Sequence, residues 1–162
     1  MIIGKPILEG KLHFKSIEAW YVAWETNKNY RHWCVQKHPE NFKTALVVLF
    51  NPGSLNSNPN SLNSDSTLRV LRNVFHKTGV NPLVINLFDY YTPSYRKLNL
   101  HWEERDYKYL VYEKLLSIEF IFSIYAYGLM DKNDLNYYDI ISRINFIKSI
   151  FKDIPVLNYD DG

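Results

Sequence analysis

The sequence predicts an α/β fold, with a central, mostly parallel four-stranded sheet between two helical layers. Three observations carry this reading. Short continuous apolar runs, such as Ala45–Phe50 (ALVVLF), suit strands buried on both faces. From residue 45 onward such runs alternate with segments whose apolar residues recur at helical spacing. The chain has 162 residues, 46% hydrophobic and 22% charged, which is the length and balance of one globular domain. Residues 1–162 are therefore read as a single domain.

The elements follow in order. Ala45–Phe50 is the first buried strand. Asp65–Lys77 is a helix, with Ser64, Asp65 and Ser66 as candidate caps, Leu68, Leu71 and Phe75 as its stripe, and Gly79 as its stop. Pro82–Phe88 is the second strand. Glu103–Leu116 is a second helix, with Tyr107, Leu110, Val111 and Lys114 at helical spacing. Ile118–Tyr125 is the third strand, and Asn136–Phe151 a helix striped by Tyr137, Ile140, Ile141, Ile144, Ile147 and Phe151. Ile154–Asn158 is a short fourth strand. Strand–helix alternation gives right-handed crossovers and a parallel sheet covered on both faces. Residues 1–44, rich in Trp and Tyr, are expected as an extension packed on that sheet, with Arg31–Gln36 an added edge strand.

Composition narrows the function classes. Nineteen Lys and Arg against 17 Asp and Glu give a net charge of +2, too little to imply a nucleic-acid partner by charge alone. The single cysteine, Cys34, excludes an internal disulfide framework and fits a reducing compartment. The five histidines show no metal-ligand spacing, so no metal centre is expected. The amino terminus lacks a signal-peptide core, and the most apolar run, Ile118–Tyr127, is far shorter than a membrane span. A cytoplasmic protein with no membrane contact, monomeric by expectation, is the reading.

Ligands of open parallel sheets bind outside the carboxyl ends of the strands. Those ends are Phe50–Ser54, Asn86–Tyr91 and Tyr125–Gly128. Pro52 fixes the backbone and Gly53 lets it turn, so Asn51 is held at a strand end. Its amide can orient a water or a substrate group, though the tripeptide alone more often means an asparagine that caps its own turn. Asn86 closes Leu83-Val84-Ile85-Asn86, where an amide with one donor and one acceptor edge can read a planar heterocycle or bond the neighbouring strand end. The Ser/Asn stretch Ser54–Ser66 is a loop by its turn chemistry. Asp89–Lys97 interleaves aromatic and basic residues, a pattern suited to single-stranded nucleic acid, to a protein partner or to plain loop packing.

Val47–Ser54, the helix start Asp65-Ser66-Thr67-Leu68-Arg69, Leu83–Phe88 and Tyr125-Ala126-Tyr127-Gly128 resemble, in that order, domain-of-unknown-function family 1643. The resemblance spans about residues 30–160. That layout is in turn similar to the uracil-DNA glycosylase superfamily. Phe50-Asn51-Pro52-Gly53 resembles its water-activating motif, and Leu83-Val84-Ile85-Asn86 resembles the strand whose asparagine bonds the flipped base.

The resemblance implies water positioning by Asn51 and a base pocket of Asn86, Pro52, Gly53, Phe88, Tyr127 and Gly128. It implies a rim of Ser54, Asn56, Tyr90, Tyr91, Tyr95, Arg96 and Lys97, and needs no cofactor. The chemistry would be N-glycosidic cleavage, with donors stabilising charge on the departing base. Two departures point away from activity. Ser54–Thr67 holds no aromatic residue to stack on a base, and Val156–Gly162 stands roughly where the resemblance expects a histidine segment to begin. Stacking contributes about 1–3 kcal/mol per base, so losing floor and wedge removes most of what offsets base flipping. The expected role is binding, to an acidic, DNA-mimicking glycosylase inhibitor or weakly to DNA. An active glycosylase and a nucleotide-binding or nucleotide-processing domain are the alternatives.

Overall fold

The computed structural model describes residues 12–17, 20–25, 31–36, 38, 41, 43–51, 66–89, 112–128 and 137–157. In chain order the elements are β1 (Leu12–Ile17), β2 (Trp20–Glu25), β3 (Arg31–Gln36), β4 (Lys43–Leu49), α1 (Ser66–His76), β5 (Val80–Asn86), β6 (Phe120–Tyr125) and α2 (Tyr137–Ile150). Residues 112–115 add a helical turn before β6. The fold is α/β. No helix among the described residues is long and apolar enough to cross a membrane.

The sheet has six strands in the order β1-β2-β3-β5-β4-β6. β4 is flanked by β5 and β6, and both pairings are parallel. The other three pairings are antiparallel, so the sheet is mixed where a mostly parallel, four-stranded one was expected. The difference comes from residues 12–36. Of these, 12–17, 20–25 and 31–36 do not lie on the sheet as an extension but enter it as strands, with Ile17 pairing Trp20. The three aromatic residues and Val22 of Trp20–Trp24 suit such strands. β3 is consequently internal, between β2 and β5, and not an edge strand. The expected fourth strand is reduced to one parallel bridge, Ser123 to Val156. Backbone bonds from Ser123 N–H to Pro155 and from Leu157 N–H to Ser123 flank it.

Two apolar clusters cover the two faces. Cys34, Ala45, Val47 and Val84 pack with Leu68 and Phe75 of α1. Val35, Leu46, Val48, Leu83 and Ile85 pack with Tyr112, Leu115 and the α2 residues Ile140, Ile144 and Ile147. Neighbours along each strand alternate between the clusters, the two-residue period of a strand buried on both sides. α1 and α2 thus lie on opposite faces. The α1 stripe Leu68, Leu71 and Phe75 and the α2 stripe Ile140, Ile144, Ile147 and Phe151 face these clusters. The stripe read in the second helix is displaced. Tyr112 and Leu115 point inward while Lys114 is exposed, and residues 103–111 lie outside the described ones.

α1 ends where Thr78 N–H and Oγ1 both bond the Phe75 carbonyl, and Gly79 then takes φ +72°. That left-handed turn sends the chain into β5. A side chain there would meet open space but strained backbone.

Candidate functional site

The site begins where β4 and β5 end. In their parallel register Leu49 pairs with Asn86. The pairing continues past both strands, with Leu87 N–H donating to Leu49 at 2.9 Å and Phe88 N–H to Phe50 at 3.0 Å. On the other side Ala126 N–H donates to Val48 at 2.8 Å. Three chain ends are thereby held side by side. The chain after β4 leads to α1 on one face, while those after β5 and β6 lead to helices on the other. Such a divergence opens a crevice in α/β sheets. Asn51, half-buried, lies where the chains diverge, two residues beyond Leu49.

Asn86 is 1% exposed. Two residues after Val84, it lies on the α1 face of β5 by strand alternation. Its main-chain carbonyl accepts a 3.1 Å bond from the buried Tyr112 hydroxyl, which pins the strand end from the opposite side.

Alternation then breaks. Leu87 and Phe88 both join the α2-side cluster, a local irregularity of the kind bulges produce. Phe88 packs on Phe50, with ring centroids 5.6 Å apart, and the Arg143 guanidinium lies 4.8 Å from the Phe88 ring centre. Phe88 is therefore buried in the α2-side cluster, whereas Asn86 lies by alternation on the α1 face. Tyr127 is half-buried against the same α2-side cluster, and Gly128 is exposed at φ +87°. Tyr125, beneath them, has its hydroxyl pKa pushed up to about 12 by burial and then by Tyr127. Lys148 Nζ lies 5.2 Å from the Tyr125 ring centre.

The break carries Asp89 back toward β3. Arg31 N–H donates to the Asp89 carbonyl at 2.9 Å, and Asp89 Oδ2 meets His32 Nδ1 at 2.6 Å. Both side chains are fully buried. Sequence reading missed this pair. His32 lies 57 residues before Asp89, and only the antiparallel β3–β5 pairing brings them together. The one local signal was a run of polar residues in a strand otherwise fit for burial, Arg31-His32-Trp33-Cys34-Val35-Gln36.

Asn51 and Asn86 thus end neighbouring strands, with His32 and Asp89 beside Asn86. Pro52, Gly53, Ser54, Asn56, Tyr90, Tyr91, Tyr95, Arg96 and Lys97 lie outside the described residues. Among the described residues no group of three potential ligands is placed to hold a metal ion. The polar set at this sheet edge suits hydrogen bonding to a planar ligand: two amides, each donor and acceptor, and an imidazole whose ring is oriented by a carboxylate. The chain matches no protein-family model, no curated protein and no solved structure.

Proposed function

We propose that this chain is a uracil-DNA glycosylase-like protein with little or no glycosylase activity, which acts by binding. Its partner is an acidic protein that mimics DNA, with nucleic acid as a weaker ligand. The observation that carries the reading is the Leu49–Asn86 register, which sets Asn51 and Asn86 on adjacent parallel strand ends where the chains diverge. Helices on both faces of the sheet and the parallel trio β5-β4-β6 agree with a glycosylase-like layout.

Binding is favoured over chemistry by the absence of an aromatic residue in Ser54–Thr67, which leaves no stacking floor after the first motif. A net charge of +2 disfavours tight non-specific duplex binding, which depends on many phosphate contacts. Charge complementarity would speed and orient encounter with an acidic mimic.

The buried His32–Asp89 pair favours a second reading, an active glycosylase hydrolysing the N-glycosidic bond of uracil or another non-standard base. One assay separates the two. The purified chain is incubated with uracil-containing single- and double-stranded DNA, and titrated with a proteinaceous glycosylase inhibitor. Background excision with inhibitor binding at micromolar concentrations is the expected result. Robust excision abolished by Asn51→Ala establishes the enzyme instead. No inhibitor binding, with tight DNA binding at physiological salt, overturns the protein-partner reading.

A further inference from the structure

Helix α1 turns Leu68, Leu71 and Phe75 toward the sheet, and its packing needs nothing apolar on the other side. Yet Val70 and Val74, one turn apart on that other side, are 59% and 58% exposed. Valine is a poor choice there for the helix alone, because its branched Cβ loses χ1 freedom against the preceding turn. The two valines gain nothing for the fold as it stands. They form an apolar ridge of the kind that a second helix packs against.

Charge narrows what covers this ridge. Residues 66–79 hold Arg69, Arg72 and Lys77 and no aspartate or glutamate. Arg69 borders Val70, and Lys77, three residues past Val74, continues the valine row. Both cations are exposed, and neither is ion-paired among the described residues. An apolar centre edged by such cations suits a protein surface that brings carboxylates opposite them. Other occupants fit less well. A second copy would set cations against cations. Nucleic acid would gain nothing from the valines, and Phe75, the one ring on α1 suited to base stacking, is buried. A membrane surface calls for Trp, Phe or Leu on the facing side, whereas Leu68 and Phe75 turn inward.

We propose that the outer side of α1 docks an acidic amphipathic helix of another protein. Apolar residues of that helix cover Val70 and Val74, while its carboxylates meet Arg69 and Lys77. The surface looks away from the sheet and involves neither Asn51 nor Asn86, so it holds whether or not the glycosylase-like reading does.

The probe is a synthetic amphipathic helix with leucine along one face and glutamate beside it, titrated into the ¹⁵N-labelled full chain. Backbone amides of α1 shift, most strongly around Val70 and Val74. Affinity falls about tenfold in Val70→Ala and in Val74→Ala, the scale of uncovering two methyl groups. In Arg69→Gln and Lys77→Gln, association slows and loses part of its salt dependence. Substitutions at exposed positions of this kind leave the fold intact, which thermal unfolding of each variant checks. A version of the probe with lysine in place of glutamate does not bind. Equal binding of that version overturns the proposal, as do α1 amides left unmoved by the acidic helix at millimolar concentration. A single-stranded oligonucleotide that shifts the same amides, equally well in the valine variants, overturns it in favour of a nucleic-acid surface.

Discussion

The Tyr112 hydroxyl donates a buried 3.1 Å hydrogen bond to the main-chain carbonyl of Asn86. It couples the helical turn on one face of the sheet to the strand end that presents an amide on the other. The Tyr112 ring also packs on Phe151, with centroids 5.8 Å apart, so the donor is held from two directions. The position of Asn86 is thus set by tertiary packing as much as by β5 itself.

Tyr112→Phe keeps the ring and removes the donor. The expected loss is about 1–2 kcal/mol in urea unfolding, the scale for one buried hydrogen bond. Binding of free uracil, or of any ligand read by Asn86, weakens in the same variant. Unchanged stability would mean that the bond contributes nothing to holding the strand end.

Gly79→Ala places a side chain at φ +72° with nothing within 4 Å of it. Only backbone strain acts, so the expected destabilisation is about 1–2 kcal/mol. Gly79→Asn loses less, since asparagine tolerates the left-handed region. Equal losses for both would point to a role beyond conformation.

The Tyr125 hydroxyl has its pKa raised from 10.0 to about 12, first by burial and then by Tyr127. Raising an acid's pKa on folding favours the neutral form. The associated stability is fully present below pH 10.0 and is lost as pH rises toward about 12. A difference titration at the tyrosinate absorbance, original chain minus Tyr125→Phe, should show a step centred near 12. A step near 10.0 would show that the hydroxyl is solvated.

Ile147 is fully buried under the sheet, whereas Val70 on α1 is 59% exposed. Ile147→Ala is expected to destabilise by about 2–5 kcal/mol, from lost burial and the cavity left behind. Val70→Ala should stay within about 0.5 kcal/mol. Comparable losses at both sites would mean that a partner or an undescribed part of the chain covers the outer side of α1.

Much of the fold was legible from local pattern alone. ALVVLF at residues 45–50 and the isoleucine stripe of residues 140–147 each encode their structure within one element. Burial on both faces makes a strand continuously apolar, and burial on one face makes a helix periodic. β4, α1, β5, β6 and α2 accordingly fall within two residues of their expected bounds at nearly every end. Asn51 and Asn86 were readable for the same reason, since a polar residue that closes an apolar run marks a strand end. In the second helix local pattern does not decide the buried face. Its stripe was placed on Lys114, yet Tyr112 and Leu115 are the residues that turn inward. Aromatic and basic residues follow one another too closely there for periodicity to choose a face.

Which elements become neighbours is settled by long-range pairing. A strand's hydrogen-bonding edges carry no address in its own sequence, so β3 could be read as an edge although it lies inside the sheet. The same is true of the His32–Asp89 pair, whose partners are 57 residues apart. Phe88 belongs here too, because alternation predicts its direction only while successive side chains keep changing face, and Leu87 and Phe88 both enter the α2-side cluster. The strands, the helices and the two asparagines are encoded locally, because they depend on burial patterns spaced a few residues apart. Register, strand order and the meeting of His32 with Asp89 depend on backbone pairing between distant segments, and that pairing exists only once the sheet has assembled.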